Sequence, residues 1–510
     1  MHKNLTLFFG LFLPFLIYIV TMNDPLLEHH SFRQTQTAIT TFWMTQSELR
    51  FDYLTPIFGY PWIVPAEFPI YQWIVAGLYK FIHLDLDQLG RAVSLFFFYM
   101  LVIPSYFISK DLKKNIFPLS MLLMASSPIL LFFSRTFLIE TTAVFFSLSA
   151  TAFFLRFLIL KKYGYLIGFL ILGTLSLLQK ITTFAPVMLI IGIFSSYLYF
   201  YDKSLTFKQL ISILASLLMI FIPSLLWNIH IDTIKSTQYL TNFFTSERMA
   251  LWNFGDIQQR LSPVFSLKVI VWRLVICGGV SIPLFLMIRK IIELNKKSFS
   301  YYKNINLVIS KIFDKYIIFF LACAITPLFI FTNLYWIHDY YLIAVIPYFV
   351  LGIALLLANE PKITIKANSL YLFVIGINLI IFLLYYFPKI HKAPDLDLNN
   401  YKTALKLKEV TNNADVLLIN GVGWNSTIPY YSQRFSIMIN DWDDASIVVN
   451  NLNYFLGDKK LGAVINCFPS SEMSENGINN SKFMETFLLS IPGKIEKSGI
   501  CTYKKVSKID

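Results

Sequence analysis

One stretch of this sequence concentrates groups that can do chemistry. Glu28-His29-His30-Ser31-Phe32-Arg33-Gln34-Thr35-Gln36-Thr37-Ala38 follows the first apolar segment and packs a carboxylate, two imidazoles, a guanidinium and amides together. At helical spacing His30, Arg33 or Gln34, and Thr37 share one face. Glu28 or the nearby Asp24 can deprotonate a hydroxyl, and His30 can do the same near neutral pH. The plainer reading is an interfacial helix with a wet polar face. Arg and paired His are unusual choices for such a face, which Ser, Lys or Asn would serve.

Further charged and polar residues punctuate an otherwise apolar chain. Lys180 ends a wholly apolar run, where it either snorkels to an interface or offers a point charge to a lipid-linked phosphate. Arg91 and Arg135 suit the same two roles. Glu140, five residues after Arg135, reads as an ion-pair partner or as part of a site. Asp339, after His338, can cap a helix or belong to a site; Tyr340 and Tyr341 read first as interfacial aromatics. Glu67 precedes Phe68-Pro69. No Gly-rich phosphate loop, zinc spacing or nucleophile elbow is present, so no nucleotide-sugar or ATP site is indicated. A divalent metal is compatible with Asp24, Glu28, His30 and Asp339 as oxygen and nitrogen ligands.

The elements that must position these residues are membrane helices. The chain is 56% hydrophobic and 14% charged, with 49 Phe, against about 25% charged residues in a soluble domain. Apolar runs near ~20 residues recur from Asn4 to Phe387. About eleven spans are expected, near 5–22, 90–109, 116–133, 138–160, 164–180, 183–201, 209–228, 267–288, 316–333, 340–358 and 368–387. Leu5 to Met22 reads as a retained first helix, because no small-x-small site precedes Asp24. The net charge of +13 does not indicate nucleic-acid binding, since most Lys and Arg occupy short loops between apolar runs.

Alternate connections carry the basic residues: Lys3, Lys110 to Lys114, Lys161 and Lys162, Lys203 and Lys208, Arg289 to Lys315, and Lys362 with Lys366. That set is expected to be cytoplasmic. Keeping it together requires Pro69 to His83 to lie along the outer surface, with Arg33–Glu48 as a partner helix. Residues 23–90 then form one large outer loop. The polar residues at helix ends gather on that same outer side, and polar groups at membrane depth mark functional sites.

After Pro388 the composition becomes soluble. Residues 414–420, 436–440 and 461–468 read as strands, so 1–390 is expected to be a transmembrane domain and 391–510 a small extracytoplasmic α/β domain. Cys467 and Cys501 fall on what can be neighbouring strands, as a disulfide or as two free thiols.

Several motifs follow one another in a known order: Glu67-Phe68-Pro69-Ile70-Tyr71, Gly90-Arg91-Ala92-Val93-Ser94, Ser134-Arg135 through Glu140, Leu178-Gln179-Lys180, and His338-Asp339-Tyr340-Tyr341 followed by Pro347. Together they resemble the C-type (GT-C) polytopic glycosyltransferases of the family 39 kind, relatives of protein mannosyltransferases and of lipopolysaccharide-modifying transferases. The resemblance covers roughly residues 1–390. It implies a polyprenyl-phosphate sugar donor held in the bilayer and an extracytoplasmic acceptor, whether glycan, lipid or protein. It also implies an inverting displacement, with Glu28, His30 or Asp24 as base. His29, Arg33, Gln34, Glu67, Arg91, Arg135, Glu140, Lys180, His338, Asp339 and Tyr340 would bind substrate. Many relatives carry an Asp-Glu pair where this chain has His30-Ser31. Short loops and richness in Lys, Ile and Asn point to a bacterial inner membrane as the location. A flippase of lipid-linked saccharide is the alternative, although the spans are nearly free of midplane charge and no internal repeat is evident.

Overall fold

A computed structural model of the chain describes residues 2–286, 288–289, 314–358, 367–391, 393–467 and 474–506. The basic positions Lys290, Lys296, Lys297, Lys303, Lys311, Lys362 and Lys366 lie outside the described residues, as does Phe468. The described chain divides into two compact units. One comprises Met1–Thr21, Arg91–Trp227 and Met249–Pro388; the other comprises Met22–Gly90, Asn228–Arg248 and Lys389–Asp510.

The first unit is helical. Among the described residues, five helices are long and apolar enough to cross a membrane: Leu86–Asp111, Glu140–Leu160, Ile181–Phe200, Phe207–Ser236 and Tyr371–Val410. Gly10–Thr21, Phe117–Ser126, Gly164–Gln179, Lys315–Ile330 and Ile346–Ala358 are shorter apolar helices. Helix Glu140–Leu160 is apolar nearly all round and buried over most of its length, as a helix without a polar stripe must be. The run expected over 116–133 is two helices. Pro128 forces Ser127 into extended backbone, ψ 121°, which ends Phe117–Ser126 and starts Pro128–Phe133. Small polar side chains join helices across this apolar interior. Tyr348 hydroxyl meets Ser147 and Thr151 hydroxyls at 2.7 and 2.9 Å, and Asn378 Nδ2 donates to Ser126 Oγ and Gly279 O, each at 3.1 Å.

The second unit centres on a five-stranded sheet. Its strands are β1 (Asp415–Asn420), β2 (Phe435–Ile439), β3 (Lys460–Cys467), β4 (Glu496–Ser498) and β5 (Cys501–Lys505), in the order β2-β1-β3-β5-β4. β1 is parallel to β2 and β3, whereas β5 runs antiparallel to β3 and β4. β1 and β2 are buried along nearly their whole length, which suits continuous apolar strands covered on both faces. Cys467 and Cys501 are register partners on β3 and β5 and form a disulfide.

The edge of β2 is covered by a segment from far upstream in the chain. Ser436 N donates to Pro56 O at 2.8 Å and Met438 N to Ile57 O at 2.9 Å, with an antiparallel bridge between Phe58 and Ile437. An open edge is a template for unwanted pairing, and this loop closes it.

Candidate functional site

The residues singled out from the sequence fall into two groups, one in each unit. Asp24, Glu28, His29, His30, Arg33, Gln34 and Glu67 belong to the sheet-containing unit. Arg91, Arg135, Glu140, Lys180, His338, Asp339 and Tyr340 belong to the helical unit.

In the sheet-containing unit the group is organised by helix Ser31–Gln46. His30 precedes it in the left-handed region, φ 62° and ψ 33°, a conformation that non-glycine residues adopt mostly under local constraint. Its carbonyl accepts from Arg33 N and Gln34 N at 3.0 and 3.2 Å, and Ser31 N donates to Glu28 O at 2.8 Å. The His29 and His30 rings lie 3.9 Å apart, centroid to centroid. Glu28 is buried.

The helix is polar yet mostly buried, so its hydroxyls turn back on its own carbonyls. Thr35, Thr37, Thr40 and Thr41 donate to the carbonyls four residues earlier, at 2.7–3.1 Å. Arg33 is ion-paired with Glu67, the residue expected to share its site, and also donates to Gln36 Oε1 at 3.4 Å. The stretch after the helix is fixed by Tyr53, whose hydroxyl donates to Glu67 O at 2.7 Å and accepts from Ala66 N at 2.8 Å. Burial pushes the Tyr53 hydroxyl well above the usual phenol range.

Three supporting residues escape a sequence reading. Asp397 accepts from Ser31 and from Asn425 Nδ2 (3.1 Å for the latter). Asp87 accepts from Tyr430, and from Tyr431 at 2.9 Å. Tyr431 Oη also accepts from Leu26 N at 2.5 Å. Apart from Asn425–Asp397, these contacts join sequence segments more than 300 residues apart, so no local spacing announces them.

In the helical unit the centre is an ion pair between Lys180 and Glu140. Lys180 is only 6% exposed and Glu140 2%, so Lys180 does not reach out of its helix end. Its ammonium nitrogen lies 4.1 Å from the centroid of the Tyr341 ring and 5.1 Å from that of Tyr340. Cation–π attraction strengthens when the cation is desolvated. Tyr340 is buried and stacks on Tyr341 and His338, at 4.7 and 5.2 Å. Glu140 Oε2 is buried with no hydrogen-bond partner among the described residues.

Asp339, also buried, accepts from Tyr386 Oη at 3.2 Å. Arg273 Nη1 donates to Tyr335 O and Trp336 O at 2.6 and 3.1 Å, satisfying carbonyls at the end of helix Thr332–Ile337. Tyr386 and Arg273 both lie on π-helical turns, Phe382–Tyr386 and Ser266–Ile276. Such turns interrupt the α-helical ladder and re-aim side chains, frequently at functional sites. Two fully buried arginines complete the unit's polar interior. Arg91 Nη1 donates to Thr21 O at 2.8 Å, at the end of the first helix, and the Arg135 guanidinium lies 5.3 Å from the Phe132 ring centroid. Buried cations, stacked aromatics and a buried carboxylate make a setting able to hold an anionic group out of water.

No protein-family model matches this chain, and no curated protein matches it. Among solved structures it is similar to ArnT from Cupriavidus metallidurans bound to undecaprenyl phosphate, at 11% identity and a TM-score of 0.61, covering 97% of each chain. The apo state of that protein gives 12% identity and a TM-score of 0.59, covering 96% of this chain and 95% of that one. The archaeal oligosaccharyltransferase AglB from Archaeoglobus fulgidus, in complex with an inhibitory peptide and a dolichol-phosphate, is 12% identical with a TM-score of 0.46, covering 91% and 69%. The fold is therefore the one ArnT has.

Proposed function

We propose that this chain is an integral membrane glycosyltransferase that moves a sugar from a polyprenyl-phosphate carrier to an extracytoplasmic acceptor. The observation that carries the reading is the buried Lys180–Glu140 pair under Tyr340 and Tyr341. It occurs in a fold shared along 97% of its length with a protein seen bound to undecaprenyl phosphate. An ammonium already desolvated has little hydration left to lose when a phosphate arrives, and the acidic partner keeps it neutralised until then.

In this reading the acceptor hydroxyl attacks the anomeric carbon and the bond from that carbon to the phosphate oxygen breaks. The proton goes to a base among Glu28, His30 and Asp24, and the carrier leaves as its phosphate, stabilised by Lys180 with Arg91 and Arg135 as further basic groups. One displacement inverts the configuration. Arg33, Gln34, His29 and Glu67 hold the base and the sugar in place, and His338, Asp339 and Tyr340 line the phosphate end. Residues 23–90 and 391–510 face the extracytoplasmic side of a bacterial inner membrane, with 1–390 as the membrane domain.

The test is transfer by the purified protein in lipid nanodiscs, supplied with a panel of polyprenyl-phosphate sugars and envelope glycolipid acceptors. Glu28→Gln, His30→Ala and Lys180→Ala are each expected to lower the rate, on the order of 10²-fold or more for the base. Unimpaired transfer by all three variants would overturn the assignment.

A further inference from the structure

We infer that the carboxyl edge of the sheet carries a binding platform for the acceptor's saccharide, one selective for neutral or amino-bearing sugars; this rests on the transferase reading above. The topology comes first. β1 sends its chain to β2 on one side, and β2 sends its chain to β3 on the other side of β1. In α/β sheets, ligands bind outside the carboxyl ends of the strands at such a reversal. The reversal here lies at β1, whose carboxyl end is Asn420-Gly421-Val422-Gly423-Trp424, and the carboxyl end of its parallel neighbour β2 is Asn440-Asp441-Trp442-Asp443-Asp444.

Aromatic rings cover this edge in a row. Trp424 lies 4.5 Å from Phe244, Phe244 lies 5.9 Å from Trp442, and Trp442 stacks on Phe243 at 4.6 Å with an interplanar angle of 21°. Trp442 is 44% exposed and Phe243 37%. Two large stacked rings left in solvent form a flat apolar face of the kind that takes the C–H face of a pyranose.

Hydrogen-bonding groups stand beside the rings, and the loop holding them is rigid. Asn476 Nδ2 donates to Asp441 O and Asp443 O at 2.6 and 2.8 Å, and Asn480 Nδ2 donates to Asp443 O at 2.8 Å. Asn440 N and Nδ2 both donate to Asp443 Oδ2, at 2.9 and 2.8 Å. Asn440 Oδ1 is buried and has no hydrogen-bond partner among the described residues. Asp441 is half-buried beside Trp442, against Gly477, where a side chain at 477 would meet its carboxylate at 3.0 Å. Asp441, held through its backbone carbonyl, offers a carboxylate next in sequence to a stacked indole as an acceptor for sugar hydroxyls.

The platform continues into the polar helix. Gln36 Nε2 donates to Trp424 O at 3.4 Å, and Gln36 Oε1 accepts from Arg33. A saccharide on Trp442 and Trp424 would thus extend towards the residues assigned to the acceptor hydroxyl. Charge decides among occupants. Trp442 sits among three aspartates within four residues, which repels an anionic glycan or an anionic lipid surface and favours neutral or aminated sugar.

The experiment measures binding to the full-length protein in nanodiscs without donor, by saturation-transfer NMR. The probes are maltotetraose, a glucosamine tetrasaccharide and a heparin-derived tetrasaccharide. The first two are expected to bind and the third not to. Trp442→Ala and Phe243→Ala should each weaken binding about tenfold, the scale of losing one aromatic anchor, with Trp442→Phe retaining most of it. Asp441→Asn should narrow the discrimination against the anionic probe. Transfer is assayed alongside with the acceptor that works. Intact transfer with no binding of any neutral or aminated probe, or binding unchanged by Trp442→Ala, overturns the platform while leaving the transferase standing. Probe binding without transfer from any polyprenyl donor overturns the transferase, and with it the platform's role as an acceptor site. Quenching of Trp442 by brominated lipid places the ring in the bilayer and also overturns the platform.

Discussion

Lys180 and Glu140 neutralise one another where neither side chain reaches much solvent, so each depends on the other. Removing one partner of a buried pair leaves an uncompensated charge and costs roughly 3–5 kcal/mol, whereas replacing both by apolar residues is often close to neutral. Glu140→Ala is therefore expected to lower the thermal midpoint in detergent clearly. Lys180→Met combined with Glu140→Leu should recover most of that midpoint while abolishing transfer, a split that differential scanning fluorimetry and the transfer assay together detect. A second residue-scale expectation concerns Asp443, whose carboxyl burial raises to about 6, against opposing hydrogen bonds from Asn440. A carboxyl with a raised folded-state pKa favours folding when protonated. Its contribution is full below about 4 and is lost as the pH rises through about 6. Asp443→Asn should flatten the stability profile in that window, measured by denaturant unfolding at stepped pH. Lys180, Glu140 and Asp339 stood out in the sequence because charge is rare in apolar runs. Tyr341 was read first as an interfacial aromatic, and the companions Tyr386 and Arg273 did not stand out, because their contacts join positions tens of residues apart.

At the scale of elements, helix Ser31–Gln46 and the β1–β3 core were legible, the first from its polar face and the second from short apolar runs bounded by turn residues. The break at Ser127-Pro128 and the two π-helical turns were not. Hydropathy averages over a proline inside an apolar run, and a π turn has no composition of its own. β5 was legible only through Cys501, as a strand beside that of Cys467, and β4 was missed because its three residues, Glu, Lys and Ser, carry no apolar alternation. The disulfide between β3 and β5 closes a loop with a sequence separation of 34. By loop-closure entropy it is worth roughly 3–4 kcal/mol, so Cys501→Ser or reduction is expected to loosen the C-terminal hairpin first. Hydrogen exchange on β4 and β5, compared with β1, reads this directly. Gly421 makes the tightest turn on the carboxyl edge, at φ +86°, where an added methyl would lie 2.0 Å from Cys467 O. Gly421→Ala should therefore displace the chain leading to Trp424 and weaken saccharide binding while the helical unit melts normally.

At the scale of the whole molecule, the coarse fold class, mostly helical with a small sheet near the C-terminus, followed from composition and the length of the apolar runs, and the likeness to ArnT along 97% of the chain agrees with that at 11% identity. Sidedness has a direct check. A cysteine replacing exposed Ser47 should react with an impermeant maleimide in intact cells, and one replacing exposed Lys161 should react only after lysis. The division of the chain was less legible, because Met22–Gly90 and Asn228–Arg248 are packed with Lys389–Asp510 in one compact unit. Strand β2 takes its edge partner from Pro56–Phe58, so the early segment is closed only by residues made long after it. Roughly 300 residues separate Gly90 from Lys389, and at about 5–20 residues per second a ribosome needs tens of seconds to bridge them. During that interval the early segment waits without its sheet, so a nascent chain stalled before residue 415 should be a ready target for chaperones and proteases, and a stop codon just before residue 415 should be as damaging as one soon after residue 90.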